Sequence, residues 1–340
     1  MYVTIRRKYG TDQRIGETMK EITITKNEAQ QRVDRFLKKY MPEASTGFIY
    51  KMLRKKRIKL NGARTTPDTI LKVKDIIQMY LSEDTIKNFK GYHQAVMAKG
   101  VIDVVYEDEN LLLVNKPKGL LVHGDSREKN DTLINRVYYY LSQEGIFNPL
   151  EENTFSPACC NRLDRNTSGI VIVAKNYPSL QAINAMMKEN KIKKKYLALV
   201  KGKVLQEKEL KGYLFKDTKS NKVKVLFQEQ KGARFIHTKY KPLKYYQGFS
   251  LLEIDLITGR SHQIRAHLAS EGFPIVGDYK YGNPQVNRNF PQLDSQFLHA
   301  YLIQFTNCPK DLSYLEGKSF IADLPEDLKR IIHSFSWEEF

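Results

Sequence analysis

Apolar residues recur at two periods along this chain, and the places where the period changes divide it. Val33, Phe36 and Leu37 fall at helical spacing between Arg32 and Tyr40, and Pro42 after them marks a stop. A second helix is predicted from Ser45, with Ile49, Met52 and Leu53 on one face and Lys51, Arg54 and Lys55 on another. Ile58-Lys59-Leu60 then runs into Asn61-Gly62, a two-residue hairpin signal, and Val73 to Leu81 supplies a further strand after a Lys74-Asp75 turn. Two short helices and a small sheet over residues 21–83 make a compact module.

Residues 1–20 are polar and basic without periodic spacing and read as a tail, and 84–100, with Gly91 and Gly100, read as a linker. From 101 to 340 a second domain is expected. It opens with two strand-like runs, Val101–Tyr106 and Leu111–Val114, separated by the acidic turn Glu107–Asn110. Ile170–Lys175 reads as a buried strand, and Asn176–Asn190 as a helix with Asn176 as N-cap and Leu180, Ile183, Met186 and Met187 buried. Tyr196–Val200 is a strand that begins beside Lys193-Lys194-Lys195. Leu251–Ile257 alternates as a strand should, and Arg260–Ala269 carries helix-compatible spacing.

Composition narrows the partner. The 340 residues are 41% hydrophobic and 28% charged, as in an ordinary globular protein, but the net charge is +18. Residues 1–100 hold 22 Lys+Arg and 10 Asp+Glu, a net of +12, which leaves 34 minus 28, or +6, for the rest. Such a balance points to a polyanion, nucleic acid or an acidic membrane surface, and the one-signed run Lys51, Arg54, Lys55 favours nucleic acid. No apolar stretch approaches the roughly 18–20 residues of a membrane span, and Met1–Gly10 lacks the apolar core of a signal peptide, so a cytoplasmic location is expected. Cys159, Cys160 and Cys308 form no Cys-x-x-Cys, which suits a reducing compartment; Cys160 reads as a small buried residue rather than a nucleophile.

The chemistry-bearing stretch is Asn161-Arg162-Leu163-Asp164-Arg165-Asn166-Thr167-Ser168-Gly169, one carboxylate between two arginines in a segment of turn formers. By itself it reads first as a turn containing an aspartate. The flanking guanidinium groups are expected to keep Asp164 ionised. Tyr196 beside Lys195 could stack on a base while lysine holds phosphate, or be an ordinary strand tyrosine. No carboxylate-rich ligand set surrounds His262 and His267, so hydrogen bonding is preferred to metal binding there.

Two resemblances organise these segments. Arg32-Val33-Asp34-Arg35-Phe36-Leu37, Ser45–Arg57 and Ile58–Gly62 resemble an S4 RNA-binding domain, which implies binding of structured RNA through the face carrying Lys51, Arg54 and Lys55. Val105–Glu109, Asn115-Lys116-Pro117, Arg162-Leu163-Asp164, Tyr196–Gly202, His262-Gln263-Ile264-Arg265 and Leu298-His299-Ala300 resemble the RluA family of RNA pseudouridine synthases, over about 101–305. The resemblance implies an α+β fold, in which a mixed, mainly antiparallel sheet flanked by helices follows the small S4-type module. It also implies isomerisation of uridine to pseudouridine, most readily in ribosomal (23S) RNA, with no cofactor, metal or protein partner, by a monomer.

In the family's terms Asp164 would be the catalytic carboxylate, acting by addition to the sugar or by removal of its 2′ proton. Tyr196 would pack on the flipped base, Arg265 would pair with Asp164, and Arg162 would enter the RNA stack. Arg165, Lys195, Arg260 and His262 would bind RNA. Asn161 and Asn166 stand where many members carry His and Asp. A tRNA-directed synthase, a non-catalytic RNA-binding protein, and a glycoside hydrolase pairing Asp164 with Glu253 or Asp255 are the competing readings, the last disfavoured by charge.

Overall fold

Residues 170–173 are apolar at every position, and a strand can bury every side chain only when both of its faces are covered. The computed structural model describes residues 19–90, 96–149, 154–217 and 222–335. In it Ile170 and Ile172 enter one apolar core while Val171 and Val173 enter another, on the two sides of a sheet. Each such side chain contributes about 1.5–3 kcal/mol by leaving water. The chain divides into two compact units: residues 1–94 with 149–155, and residues 95–148 with 156–340.

In the first unit, β1 (Met19–Thr23), α1 (Val33–Tyr40), α2 (Thr46–Arg54), β2 (Ile58–Leu60), β3 (Ala63–Arg64), β4 (Ile76–Tyr80) and α3 (Glu83–Lys90) follow in order. The strands form an antiparallel sheet ordered β1-β4-β2-β3. Val33, Phe36, Leu37 and Tyr40 of α1 and Ile49 and Leu53 of α2 are buried together. Ser45 caps α2 by accepting from Phe48 N at 3.1 Å, a contact whose loss costs about 1 kcal/mol. Asn61 and Gly62 take φ of 51° and 76°, the left-handed pair that a two-residue turn between Leu60 and Ala63 requires.

Three expectations about this unit are corrected. Residues 1–18 of the expected tail lie outside the described residues, but Met19 and Lys20, its last two, open β1 and pair with Tyr80 and Met79. The expected linker begins as helix α3, because Ser82 accepts from Thr85 N, Glu83 and Asp84 occupy the first turn, Lys87 and Lys90 the last, and Ile86 is buried; residues 91–95 lie outside the described residues. The strand expected from Val73 starts only at Ile76, since Lys74 adopts φ 75° and Val73 is exposed.

The second unit runs β5 (Asp103–Glu107), β6 (Leu111–Lys116), α4 (Leu133–Gln143), β7 (Ala158–Cys159), β8 (Ser168–Ala174), α5 (Tyr177–Lys188), β9 (Ile192–Lys201), β10 (Lys208–Asp217), β11 (Lys222–Leu226), β12 (Arg234–Tyr246), β13 (Phe249–Leu256), α6 (Gln263–Ser270), α7 (Pro284–Asn287), β14 (Leu298–Phe305), β15 (Ser319–Ile321) and α8 (Glu326–Ser334). One sheet runs β11-β10-β12-β13-β9-β14-β8-β6-β5, with β15 on β14 and β7 on β8. Its pairs are antiparallel except β8 with β14. The fold is α+β. Asn176 caps α5 through Ser179 N at 2.9 Å, as its position suggested. Gly169 lies where β8 pairs in parallel with β14, opposite Ala300: a Cβ there would stand 2.2 Å from Ala300 O, so only glycine fits. Among the described residues, no helix is long and apolar enough to cross a membrane.

Candidate active site

The loop that enters β8 is held from several sides before its carboxylate does anything. Thr167 N donates to Asp164 O at 3.0 Å, closing a turn, and Leu163 is buried in the main core. Gln296 Nε2 donates to Thr167 Oγ1 at 3.2 Å. Buried His299 bonds Ser168 Oγ through Nδ1 at 2.8 Å and Ala322 O through Nε2 at 3.1 Å. A ring nitrogen facing a carbonyl must carry the proton, so Nδ1 accepts from the serine. Burial pushes this imidazole down to about 4, and it stays neutral.

Lys116, at the end of β6, is fully buried and donates from Nζ to Pro117 O, Leu120 O and Arg165 O at 2.8, 2.8 and 2.9 Å. It thus ties the Asp164 loop to the neighbouring strand. Burial pushes its ammonium down to about 7, a shift that the nearby Asp164 charge opposes. Asn161 is a second brace. Its side chain donates to Ile170 O at 3.2 Å and accepts from Ile172 N at 2.8 Å, extending the ladder of β8 as a peptide group would.

The ion pair on Asp164 comes from Arg265 on α6, 101 positions downstream, with Nη1 to Oδ2 at 3.0 Å. The flanking Arg162 and Arg165 are exposed. Arg265 is aimed by Asp278, which takes Nε at 2.7 Å and Nη2 at 3.0 Å, a bidentate pair that fixes the guanidinium plane. Asp278 is fully buried; burial alone would push its carboxyl up, but the Arg265 hydrogen bonds and charge hold it below the ordinary range. Gly277 positions it: φ is 77°, and a Cβ would meet Ser295 O at 2.3 Å.

Asp164, Tyr196, Arg265, Arg162, Arg165, Arg260 and His262 line one cleft of about 610 Å³. Tyr196 comes from β9, separated from β8 by β14. Burial first, and the Asp164 charge second, push its phenol well above the usual range, so it offers a neutral ring. Arg162, Arg165, Lys216, Arg260 and Arg265 line the cleft against Asp125 and Asp164, a cationic surround for a polyanion. Helix α6 begins at Gln263, later than the spacing suggested. Gln263 spends its amide on His237 O, Thr238 Oγ1, Thr258 Oγ1 and Arg260 N, and His262 adopts φ 57°.

Lys195 is not brought to the cleft. Successive strand residues point to opposite faces, so its neighbour Tyr196 faces the cleft while Lys195 pairs with Glu253 at 2.9 Å. Glu253 also takes Lys241 at 3.1 Å and the Tyr301 hydroxyl, so it is engaged away from Asp164 and does not form with it the carboxylate pair of a glycoside hydrolase. Cys160 lies against an apolar core and burial pushes its thiol up to about 12, consistent with a packing role. Lys51, Arg54 and Lys55 are exposed on α2 in the first unit; Tyr50, Lys51 and Arg54 line a recess of about 310 Å³ with Arg64, which the sequence reading did not single out. Asp278 and Tyr281 were also missed, although Gly277-Asp278 and Tyr281-Gly282 mark tight backbone turns around them.

A family model described as RNA pseudouridylate synthase matches residues 110–270. The ribosomal large subunit pseudouridine synthase C of Haemophilus ducreyi is 31% identical over 327 residues, 95% of this chain and 97% of its own. The protein of the same name from Escherichia coli K12 is 30% identical over 298 residues, 85% of this chain and 89% of its own. The solved structure of human RNA pseudouridylate synthase domain containing 4 matches 70% of this chain and 94% of its own at 22% identity with a TM-score of 0.54, which bears on the fold alone. The chain belongs to the RNA pseudouridine synthase family, isomerases that act on RNA.

Proposed function

We propose that this protein converts uridines of large-subunit ribosomal RNA to pseudouridine, with Asp164 as the catalytic carboxylate. The observation that carries the reading is the Asp164–Arg265–Asp278 chain at the cleft: a carboxylate aimed by an arginine that is itself locked in place. The names of the relatives support ribosomal RNA as the substrate. A uridine must leave its stack to reach such a loop, at a cost of a few kcal/mol. Exposed Arg162 at the rim is suited to fill the vacated position, with Arg165 and Arg260 binding the flanking RNA, His262 contacting the substrate and Tyr196 packing on the extruded base. Asp164 then acts at the ribose while the N1–C1′ bond opens and C5 bonds to C1′. Arg265 keeps the carboxylate in position through the step.

The first unit is proposed as an S4-type domain, with Lys51, Arg54, Lys55 and Arg64 contacting phosphates of the same RNA. Tritium release from large-subunit rRNA labelled at uridine C5 tests both parts. Asp164→Asn is expected to lower release by roughly 10⁴-fold without weakening RNA binding, as loss of a group at the reacting atoms does. The double variant Lys51→Glu/Arg54→Glu is expected to weaken RNA binding and flatten its salt dependence, by about 0.7 in log–log slope per lost contact. Undiminished release by Asp164→Asn removes the catalytic assignment, and unchanged binding by the double variant removes the S4 assignment.

A further inference from the structure

His262 is held in a backbone conformation that costs energy, and its ring is linked to β11 through one tyrosine. Its φ of 57° and ψ of 15° are left-handed, and its side chain makes no cap to α6. The ring lines the cleft, with Nε2 3.9 Å from Asp164 Oδ2 and Nδ1 2.9 Å from the Tyr281 hydroxyl. That hydroxyl accepts from Val223 N of β11 at 3.0 Å.

The proton order follows from these contacts. With the Val223 amide already donating to the phenol oxygen, the Tyr281 O–H is left to donate to Nδ1. The neutral ring then carries its hydrogen on Nε2, toward the cleft and the Asp164 carboxylate. The opposite tautomer would load two N–H donors on the phenol oxygen and turn a nitrogen lone pair toward a carboxylate. The Arg265 guanidinium lies 5.2 Å from the Tyr281 ring centre, and Lys280 Nζ 5.9 Å, which strengthens the phenol as a donor. Burial, with Arg265 and Lys280 nearby, pushes the imidazole below its ordinary value against the opposing charges of Asp164 and Asp278, so the ring is neutral near pH 7.

We infer that Tyr281 fixes His262 as the Nε2–H tautomer, and that this neutral N–H donates to a uracil carbonyl oxygen while the glycosidic bond is open. The inference rests on the pseudouridine synthase reading above. When N1–C1′ breaks, the bonding pair stays on the uracil, shared by N1 and the two carbonyl oxygens. When C5 bonds to C1′ the pair is used, the C5 proton leaves, and N1 takes up a proton. His262 keeps its own proton throughout. A neutral donor stabilises the detached anion by hydrogen bonding. An imidazolium would protonate the anion and blunt C5 as a nucleophile. His262 is thus a catalytic residue and Tyr281 a positioning residue.

The test uses the full chain with ¹⁵N-labelled histidine, and C5-tritiated rRNA. In the free protein, the ¹⁵N shifts of His262 are expected to report a protonated Nε2 and an accepting Nδ1, and Tyr281→Phe to shift that pattern toward mixed tautomers. In single turnovers, His262→Ala is expected to slow tritium release about 10²-fold, the usual cost of losing one such donor. His262→Gln, which retains an N–H, should recover part of that loss, and Tyr281→Phe should cost on the order of tenfold with RNA affinity unchanged. A Nδ1–H or imidazolium His262 in the wild type overturns the tautomer assignment. Equal rates for His262→Ala and His262→Gln overturn the donor role. A wild type that releases no tritium overturns the parent reading and the donor's target with it, whereas the tautomer is read without RNA.

Discussion

Two carboxylates sit close to Tyr196 in sequence pairing or in space, and they are treated oppositely. Glu253, on the face away from the cleft, has both oxygens engaged by Lys195, Lys241 and Tyr301. Asp164, on the cleft, takes one side-chain hydrogen bond among the described residues, from an arginine that gives two further donors, Nε and Nη2, to Asp278. A carboxylate saturated by donors is structural; one held through a single oxygen keeps the other for a substrate. The difference lies in second partners: Asp278 fixes the plane of Arg265 through Nε and Nη2, so Arg265 orients Asp164 through Nη1 without surrounding it.

Removing Asp278 should break this contrast most strongly. Asp278→Asn leaves the buried Arg265 with only the partly exposed Asp164 as a charged partner, an effect on the order of 3 kcal/mol in stability. With the guanidinium free to turn, pseudouridine formation is expected to fall by about 10²-fold. Denaturant unfolding together with tritium release checks both, and a variant as stable and active as the wild type would show that Asp278 does not anchor the site.

The second prediction concerns pH. Burial pushes His299, under the Asp164 loop, and His267, which bonds Thr238 Oγ1, each down to about 4. In the unfolded chain both titrate near 6.5. Between those values the unfolded state binds more protons, so stability present above about pH 6.5 is lost as pH falls toward 4. His299→Gln should reduce the slope of unfolding free energy against pH over that window; an unchanged slope would mean that His299 does not titrate on unfolding.

The smallest effect is expected at the saturated carboxylate. Glu253→Gln should change stability by about 1 kcal/mol or less, as for partly exposed ion pairs, and leave tritium release as it was. Loss of release would erase the contrast and return Glu253 to the chemistry.

Much of the architecture was legible where a local rule decides. The Asn61-Gly62 turn, the Ser45 and Asn176 caps and the all-apolar strand after Gly169 follow from backbone preference and short-range hydrogen bonding. Helix α3 was missed because its signal, Ser82 with acidic then basic turns, is short and carries one buried residue. Lys195 was misjudged because adjacency in a strand means opposite faces. The arginines that flank Asp164 lie in the turn that presents the carboxylate and are exposed.

By itself, the sequence determined the local elements, the excess of positive charge, and, through resemblance, the loop on which the chemistry turns. Only the tertiary structure decided how Arg265 meets Asp164, what fixes that cation, and which proton His262 presents. Those are pairings over tens to hundreds of positions, set by strand order and by burial, which make a lone charge or an unpaired polar group too costly to leave without a partner. A carboxylate's neighbours in the chain predict its turn; its neighbours across the sheet decide what it can do.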